Sequence, residues 1–197
     1  MQKLVIASSN AGKLREINHF LTPLQIEVVP QALFNVSEAD EPHCTFIENA
    51  LAKARHACKH TGLPSLADDS GICVKALNGN PGVLSARYAG EPKSDERNNR
   101  RLVEVLRDQA DRRAHYYCVM VLVRHPGDPE PIIADASWHG EIILEPRGKG
   151  GFGYDPYFFL ADLGKTAAEL QMEKKNQISH RGKALARLVK SLEEETR

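Results

Sequence analysis

Neither charge is in surplus. Lys and Arg number 26 and Asp and Glu number 26, so no global field draws this chain toward DNA or an anionic membrane surface. A basic stripe interleaved with aromatics, the footprint of a nucleic-acid-binding module, is also missing. Nucleic acid and membrane are therefore excluded as expected partners, and any phosphate binding must be local. The four cysteines, Cys44, Cys58, Cys73 and Cys118, contain no CxxC pair. Two of them lie in apolar segments, which points to a reducing compartment. There is no long apolar run at the start: MQKLVIASSN turns polar too soon for a signal peptide or a spanning helix. A cytoplasmic location is the expectation. No internal repeat, low-complexity tract or flexible linker interrupts the chain, and its 42% hydrophobic content is enough for one sizeable core. One domain over residues 1–197 is expected.

What is present alternates between strand and helix texture. Leu4 to Ala7 is a short apolar run, followed by the turn Ser8-Ser9-Asn10-Ala11-Gly12 and by Leu14, Ile17 and Leu21 at helical spacing, closed by Pro23. Ile26 to Val29 reads as a second strand, and Ser37 to Pro42 as an acidic loop carrying Glu38, Asp40 and Glu41. The strongest helix signal follows. Thr45 and Glu48 form a capping box, Ile47, Ala50, Leu51, Ala54, Ala57 and Cys58 recur at helical spacing, and Gly62 supplies the stop. Asn49, Lys53 and His56 lie on the face opposite that apolar stripe.

Ser65 to Ala67 predicts a brief strand breaking at Asp68-Asp69-Ser70-Gly71, with Ile72 to Leu77 extended again. Residues 78–100 are rich in Gly, Pro, Asn and charge and read as an excursion, with a helix starting near Ser94. Tyr116 to Val123, Ile132 to Trp138 and Glu141 to Leu144 then predict an antiparallel meander. Tyr157 to Leu160 is apolar, Thr166 and Glu169 form a second capping box, and Ser179 to Leu192 predicts a terminal helix. The fold class is α/β, with a long mixed sheet and flanking helices bent into two lobes around a cleft.

Several segments could carry chemistry, and each also has a bland reading. The loop Ser8 to Lys13 lies between a first strand and a first helix, where backbone N–H groups and the helix dipole attract anions. It fails the Walker A spacing, and equally describes a plain helix cap with a solvated lysine. Asp68 and Asp69 at a strand end suit a hard cation, with Glu41 as a second carboxylate and Lys53 balancing the charge; an Asx turn is the alternative. Gly148, Gly150, Gly151 and Gly153 around Phe152, followed by Tyr154 and Asp155, would let backbone approach a flat ligand beside a stacking face, or simply form a hairpin. Lys174, Lys175, His180 and Arg181 put cations at the start of the last helix, against its dipole. A ligand rich in acceptors would relieve that arrangement, though an exposed basic helix start costs little.

The stretches SSNAGK (8–13), TFIENALAKA (45–54), ADDSG (67–71), PG followed by SARYAG (81–90), GGFGYDP (150–156) and SHRG (179–182), in this order over nearly the whole chain, resemble the inosine triphosphate pyrophosphatase family. Its members clear noncanonical purine nucleotides and include the bacterial dITP/XTP enzymes. One departure is visible: Ser8-Ser9-Asn10 stands where the family more usually has Thr-Gly-Asn. The resemblance implies an elongated two-lobed fold, a homodimer, magnesium as cofactor, and a nucleoside triphosphate held in the central cleft. Carried over by position, Ser8, Ser9, Asn10, Ala11, Gly12 and Lys13 would hold the triphosphate together with Lys53. Glu41 and Asp69 would bind magnesium. Asp69 would also be the base that activates water, with Asp68 supporting it and Ser70 touching substrate. Phe152, Gly153, Tyr154 and Asp155 would border the nucleoside, and Lys175, His180 and Arg181 would hold the purine.

The chemistry then follows from charge. Cleavage between the first and second phosphates expels pyrophosphate, whose developing charge needs cations already in place. Hypoxanthine and xanthine carry an acceptor at the six position where adenine carries a donor, so donors from His180 and Arg181 would favour the former. Two alternatives stand beside this expectation: the same chemistry on other modified nucleotides, and a nucleotide-binding regulator without turnover.

Overall fold

The computed structural model describes residues 2–195. The elements run β1 (Lys3–Ile6), α1 (Ala11–Leu21), β2 (Glu27–Pro30), α2 (Phe46–Thr61), β3 (Ser65–Val74), α3 (Asp95–Leu106), β4 (Arg113–Val123), β5 (Ile132–Ile142), β6 (Phe158–Leu160), β7 (Lys165–Thr166), α4 (Met172–Ile178) and α5 (His180–Glu195). The seven strands form one sheet in the order β2-β1-β3-β4-β5-β6-β7. It is mixed, since β1 pairs in parallel with β2 and β3, whereas β6 pairs antiparallel with β5 and β7. The chain divides into two compact units, residues 1–69, 118–136 and 181–197, and residues 70–117 and 137–180. The divisions fall within β3, β4 and β5 and at the first turn of α5.

In the first unit, Leu4 and Ile6 of β1, Leu66 of β3, and Met120 and Leu122 of β4 pack with Ile17 and Leu21 of α1 and with Ala184, Leu185 and Leu188 of α5. Asn10 caps α1 by accepting from the Gly12 and Lys13 amides, and the helix ends at Leu21, two residues before Pro23. Thr45 caps α2 by accepting from the Glu48 amide, and Gly62 closes it by donating to the Cys58 carbonyl at 2.9 Å. The small residues Ala50, Ala54, Ala57 and Cys58 form the buried stripe of α2.

The second unit has its own core, in which Leu102 and Leu106 of α3 meet Tyr116, Trp138, Ile142, Tyr154 and Phe158. Every residue from Cys118 to Val123 in β4 is buried, as expected for a strand covered on both faces. No helix among the described residues is long and apolar enough to cross a membrane. The cysteines are free thiols, with Cys58 and Cys118 buried and Cys44 exposed.

The structure departs from the sequence expectations in five places. The strand predicted to break at Asp68 continues unbroken to Val74 and ends in a 3-10 turn, Lys75–Leu77. Pairing on both sides in the middle of the sheet overrides the turn preference of Asp, Ser and Gly. Glu141 to Leu144 is not a separate strand, because β5 runs through Gly140 to Ile142. Gly140 is there for close approach: an added Cβ would come within 2.6 Å of the Phe159 carbonyl and 2.8 Å of the Phe158 ring. Lys174 and Lys175 belong to the short α4, which ends at Ile178, and not to the start of the last helix. Ile47, placed in the apolar stripe of α2, is 41% exposed. Asn49, placed on the face opposite the apolar stripe, is 1% exposed.

Candidate functional site

Strand order sets the first site. From β1 the chain crosses through α1 to β2 on one side, then through α2 to β3 on the other, so the order reverses between β1 and β3. In open α/β sheets the crevice at the carboxyl ends of such strands receives ligands. The loop Ser8 to Lys13 leaves the carboxyl end of β1 here, tied to β3 by the Ala7 amide donating to the Leu66 carbonyl at 2.9 Å. Within the loop, Asn10 accepts from Gly12 at 2.9 Å and Lys13 at 3.1 Å, and its own amide donates to the Ser8 hydroxyl. Ser9, at the position where the family more usually has glycine, donates to the Glu38 carboxylate of the acidic loop.

Because β3 is continuous through Asp68 and Asp69, the two carboxylates leave the sheet on opposite faces. Asp68 meets Lys13 of α1 at 2.8 Å and Arg181 of α5 at 3.4 Å. Arg181, itself buried, also grips Glu16 of α1 at 3.1 Å. Asp69 meets α2 instead: Lys53 at 3.5 Å and the Asn49 amide at 3.2 Å. Lys53 is shared with Glu41 at 2.5 Å. One ammonium thus stands between the two carboxylates of the acidic loop and the strand.

These surroundings pull the two acids apart. Burial works against ionisation of Asp68, but Lys13, Arg181 and Lys53 outweigh it and hold the carboxyl well below the usual range. For Asp69 burial prevails, helped by the Glu41 charge and opposed by Lys53 and Lys13, so its pKa lies above the ordinary value. Lys53 is partly desolvated, yet Asp69, Asp68 and Glu41 keep it firmly protonated. Arg181 sits at the first turn of α5, where a cation opposes the dipole; the charges of Asp68 and Glu16 offset that and raise its pKa further despite its burial.

The polar stripe of α2 is what shapes this site. His56 meets the Ser37 carbonyl at 3.0 Å, Lys53 meets Glu41, and Asn49 brackets the His43 backbone, accepting from its N–H at 3.1 Å and donating to its carbonyl at 3.3 Å. Residues 37–43 are therefore fastened at both ends to one helix.

The second unit gathers the remaining sequence candidates around Asp155. This buried carboxylate accepts from the Phe152 amide at 2.9 Å, from Lys175 at 2.6 Å and from the Tyr116 hydroxyl at 3.4 Å. The Lys175 ammonium lies 4.9 Å from the centroid of the Phe152 ring, which is 46% exposed. Gly153 is gripped from α3, its N–H by Asp95 at 2.7 Å and its carbonyl by Asn99 at 2.9 Å. Tyr154 is buried, with its hydroxyl on the Ser85 carbonyl at 2.7 Å. His180 is also buried and stacks on Tyr116, centroids 4.7 Å apart at 7°.

The structure thus brings Lys13, Glu41, Lys53, Asp68, Asp69 and Arg181 together beside the loop, with Ser70 next along β3. It groups Phe152, Gly153, Tyr154, Asp155, Lys175 and His180 separately, in the second unit. Four residues that shape these groups escaped sequence reasoning: Asn49, Glu16, Asp95 and Asn99. The helical spacing of Asn49, Lys53 and His56 was the available signal for the first. Glu16 sits on a polar face of α1 and carries none.

Fold and site first define a class: an α/β protein with an anion-attracting loop and a buried lysine and carboxylate cluster where the strand order reverses. Within that class the chain belongs to the Ham1 family, whose model matches residues 4–191. Among relatives, it is 71% identical over 194 residues to the dITP/XTP pyrophosphatase of Nitrosomonas europaea, covering 98% of this chain and 96% of that protein. It is 62% identical to the dITP/XTP pyrophosphatase of Ralstonia nicotianae, over 98% and 97% of the two chains. Among solved structures, a HAM1 protein from Coxiella burnetii superposes with a TM-score of 0.95 at 48% identity, over 98% and 100% of the two chains.

Proposed function

We propose that this chain is a nucleoside-triphosphate pyrophosphatase that hydrolyses noncanonical purine nucleotides, inosine, deoxyinosine and xanthosine triphosphates, to the monophosphate and pyrophosphate. The observation that carries the proposal is that Asp68 and Asp69 leave β3 on opposite faces, Asp68 against Lys13 and Arg181 and Asp69 against Lys53 and Asn49. Neighbouring carboxylates in such different surroundings are suited to different tasks. Asp68, locked to Lys13 and Arg181, is too weak a base to take a proton and serves as a fixed anchor for the lysine. Asp69, with its affinity for protons increased, is the better general base.

In this reaction a water oxygen attacks phosphorus, the bridge between the first and second phosphates breaks, and pyrophosphate leaves with the bond's electron pair. Asp69 receives the water's proton. Lys13 and Lys53 face the phosphates and stabilise the charge that builds on the leaving group. Magnesium fits the donor set. Glu41 and Asp69 supply two hard oxygens held by one cation. Two carboxylates leave room for an ion that keeps waters and completes its shell with substrate phosphates. When bound, magnesium would neutralise phosphate charge and make the attacking water more acidic.

Phe152 offers the nucleoside an exposed ring with Asp155 and Lys175 beside it, and His180 is assigned to the purine by the family motif. Arg181 is assigned to the purine by the family motif and carries a second duty in holding Asp68. A homodimer is the assembly proposed, and size-exclusion chromatography with light scattering tests it.

The functional test is pyrophosphate release from inosine and adenosine triphosphates, each with magnesium and with chelator. Fast, magnesium-dependent release from the inosine compound alone is the expected result. Release from neither would overturn the enzymatic reading in favour of a binding protein, and equal release from both would overturn the base selection.

A further inference from the structure

Asn49 belongs to no motif role assigned above, yet its side-chain amide is engaged at three points. Its Oδ1 accepts from the His43 N–H at 3.1 Å, and its Nδ2 donates to the His43 carbonyl at 3.3 Å and to Asp69 Oδ2 at 3.2 Å. The orientation of the amide is dictated by its neighbours, because a backbone N–H can only donate and a carbonyl or carboxylate can only accept. One acceptor and two donors are required within one side chain, at a position that is 1% exposed. No other residue of this size supplies that set: aspartate loses both donors, serine has one, and alanine has none.

The two ends of this bridge matter. Asp69 lies on β3, whereas His43 lies on the acidic loop, two residues beyond Glu41. The other end of the loop is held by His56 at Ser37. The loop has no regular structure of its own between Asn35 and Thr45, so side-chain fastenings position Glu41 relative to Asp69: Asn49 and His56 from α2, Ser9 at Glu38, and Lys53. Lys53 cannot hold that spacing by itself when a cation competes for the same two carboxylates. Asn49 carries no charge and is not displaced in that competition.

We propose that Asn49 is a positioning residue that sets the spacing of Glu41 and Asp69 and thereby the affinity of the site for its divalent cation. The inference rests on the reading that these two carboxylates share a metal. Residues that orient metal ligands cost about 10- to 100-fold in metal affinity or activity when removed. Asn49 acts through Asp69 and the His43 backbone, so its loss should appear in metal binding before it appears in the chemical step.

The test uses the full chain as wild type, Asn49→Ala and Asn49→Ser, with Glu41→Gln as reference. Manganese binding is followed by the paramagnetic resonance of the free ion, and pyrophosphate release from inosine triphosphate is measured as a function of magnesium. The expected result is a manganese dissociation constant raised about tenfold or more in both Asn49 variants. The half-saturating magnesium concentration moves in parallel, and kcat at saturating metal stays within a few-fold of wild type. A merely structural role would lower the melting temperature and leave manganese affinity unchanged well below it, and that outcome overturns the proposal. If Asn49→Ala does not fold, Asn49→Ser decides. Should Glu41→Gln bind manganese as tightly as wild type, the shared-metal reading itself fails and takes this inference with it. A normal Glu41→Gln loss beside unaltered Asn49 variants refutes the positioning role alone.

Discussion

Replacing Arg181 with leucine should destabilise the first unit measurably, and by an amount that the geometry bounds. The Arg181 side chain is 4% exposed, and its guanidinium lies 3.4 Å from Asp68 and 3.1 Å from Glu16. Removing one partner of a buried pair costs about 3–5 kcal/mol, because the remaining charge stays desolvated. Asp68 keeps Lys13 at 2.8 Å, so the lower end of that range applies. At roughly 2–4 °C per kcal/mol for a chain of this length, a cost of about 3 kcal/mol lowers the melting temperature by roughly 6–12 °C.

The assay is thermal unfolding followed by circular dichroism near neutral pH, for Arg181→Leu, Asp68→Asn and the double variant. Since Asp68→Asn removes the stranded charge, the double variant should be less destabilised than the two single losses combined, with a coupling of about 0.5–3 kcal/mol. The pH dependence has a definite sign. The pKa of Asp68 is lowered in the fold, so its contribution is complete above the ordinary aspartate value near ~4 and is lost as pH falls from there toward the depressed value. The gap between wild type and Arg181→Leu should therefore narrow in acid. A melting temperature within about 2 °C of wild type, or strictly additive losses, would refute the ion-pair reasoning. In the same variant, a reduced preference for inosine over adenosine triphosphate would reveal the purine contact as a separate effect, and an unchanged preference would move base recognition elsewhere.

Asp69→Asn should cut turnover by at least roughly a hundredfold while leaving the melting temperature within a few degrees, since a general base contributes about 10²–10⁴; wild-type rates would remove Asp69 from the mechanism. Gly151 has φ +75°, and a Cβ there would run into the Asp155 carboxylate. Gly151→Ala is expected to raise the KM for inosine triphosphate about tenfold, through backbone strain of about 1–3 kcal/mol and displacement of Asp155, and an unaltered KM would detach Asp155 from nucleoside binding. Burial pushes the Cys118 thiol up to about 12, whereas Cys44 is exposed. A thiol reagent at mildly alkaline pH should therefore modify Cys44 first and Cys118 only in denaturant; a fast phase that survives Cys44→Ser would contradict this.

Much of the first unit was legible because its signals are local. Thr45, Glu48 and Gly62 mark the ends of α2, and the Ser8 to Lys13 turn announces itself between an apolar run and a helix. What stayed hidden was fixed by partners distant in sequence. The residues Asp68 to Gly71 carry turn chemistry, and only pairing in the middle of the sheet makes them strand. Gly140 resembles a turn residue until the approach of Phe158 and Phe159 gives the reason for it. The helix α4, MEKKNQI, is too short and too polar to show a periodic stripe. The role of Asn49 stayed hidden because a polar stripe on a helix gives no sign of whether it faces water or a site.

The unbroken course of β3 imposes a parity rule on the chain. Its entry is set where Ser65 and Leu66 align with Val5 and Ile6, and alternate side chains then go to opposite faces. One residue inserted between Leu66 and Ala67, beyond that pairing, would keep every letter of the Ala-Asp-Asp-Ser-Gly stretch and still present each acid to the other's neighbours. The would-be base would turn toward the lysine and arginine of α1 and α5, and the would-be anchor toward α2. Two inserted residues would restore the faces, though one step along. Chains that preserve both aspartates can thus differ in whether they work, according to whether an odd or an even number of residues separates them from that pairing.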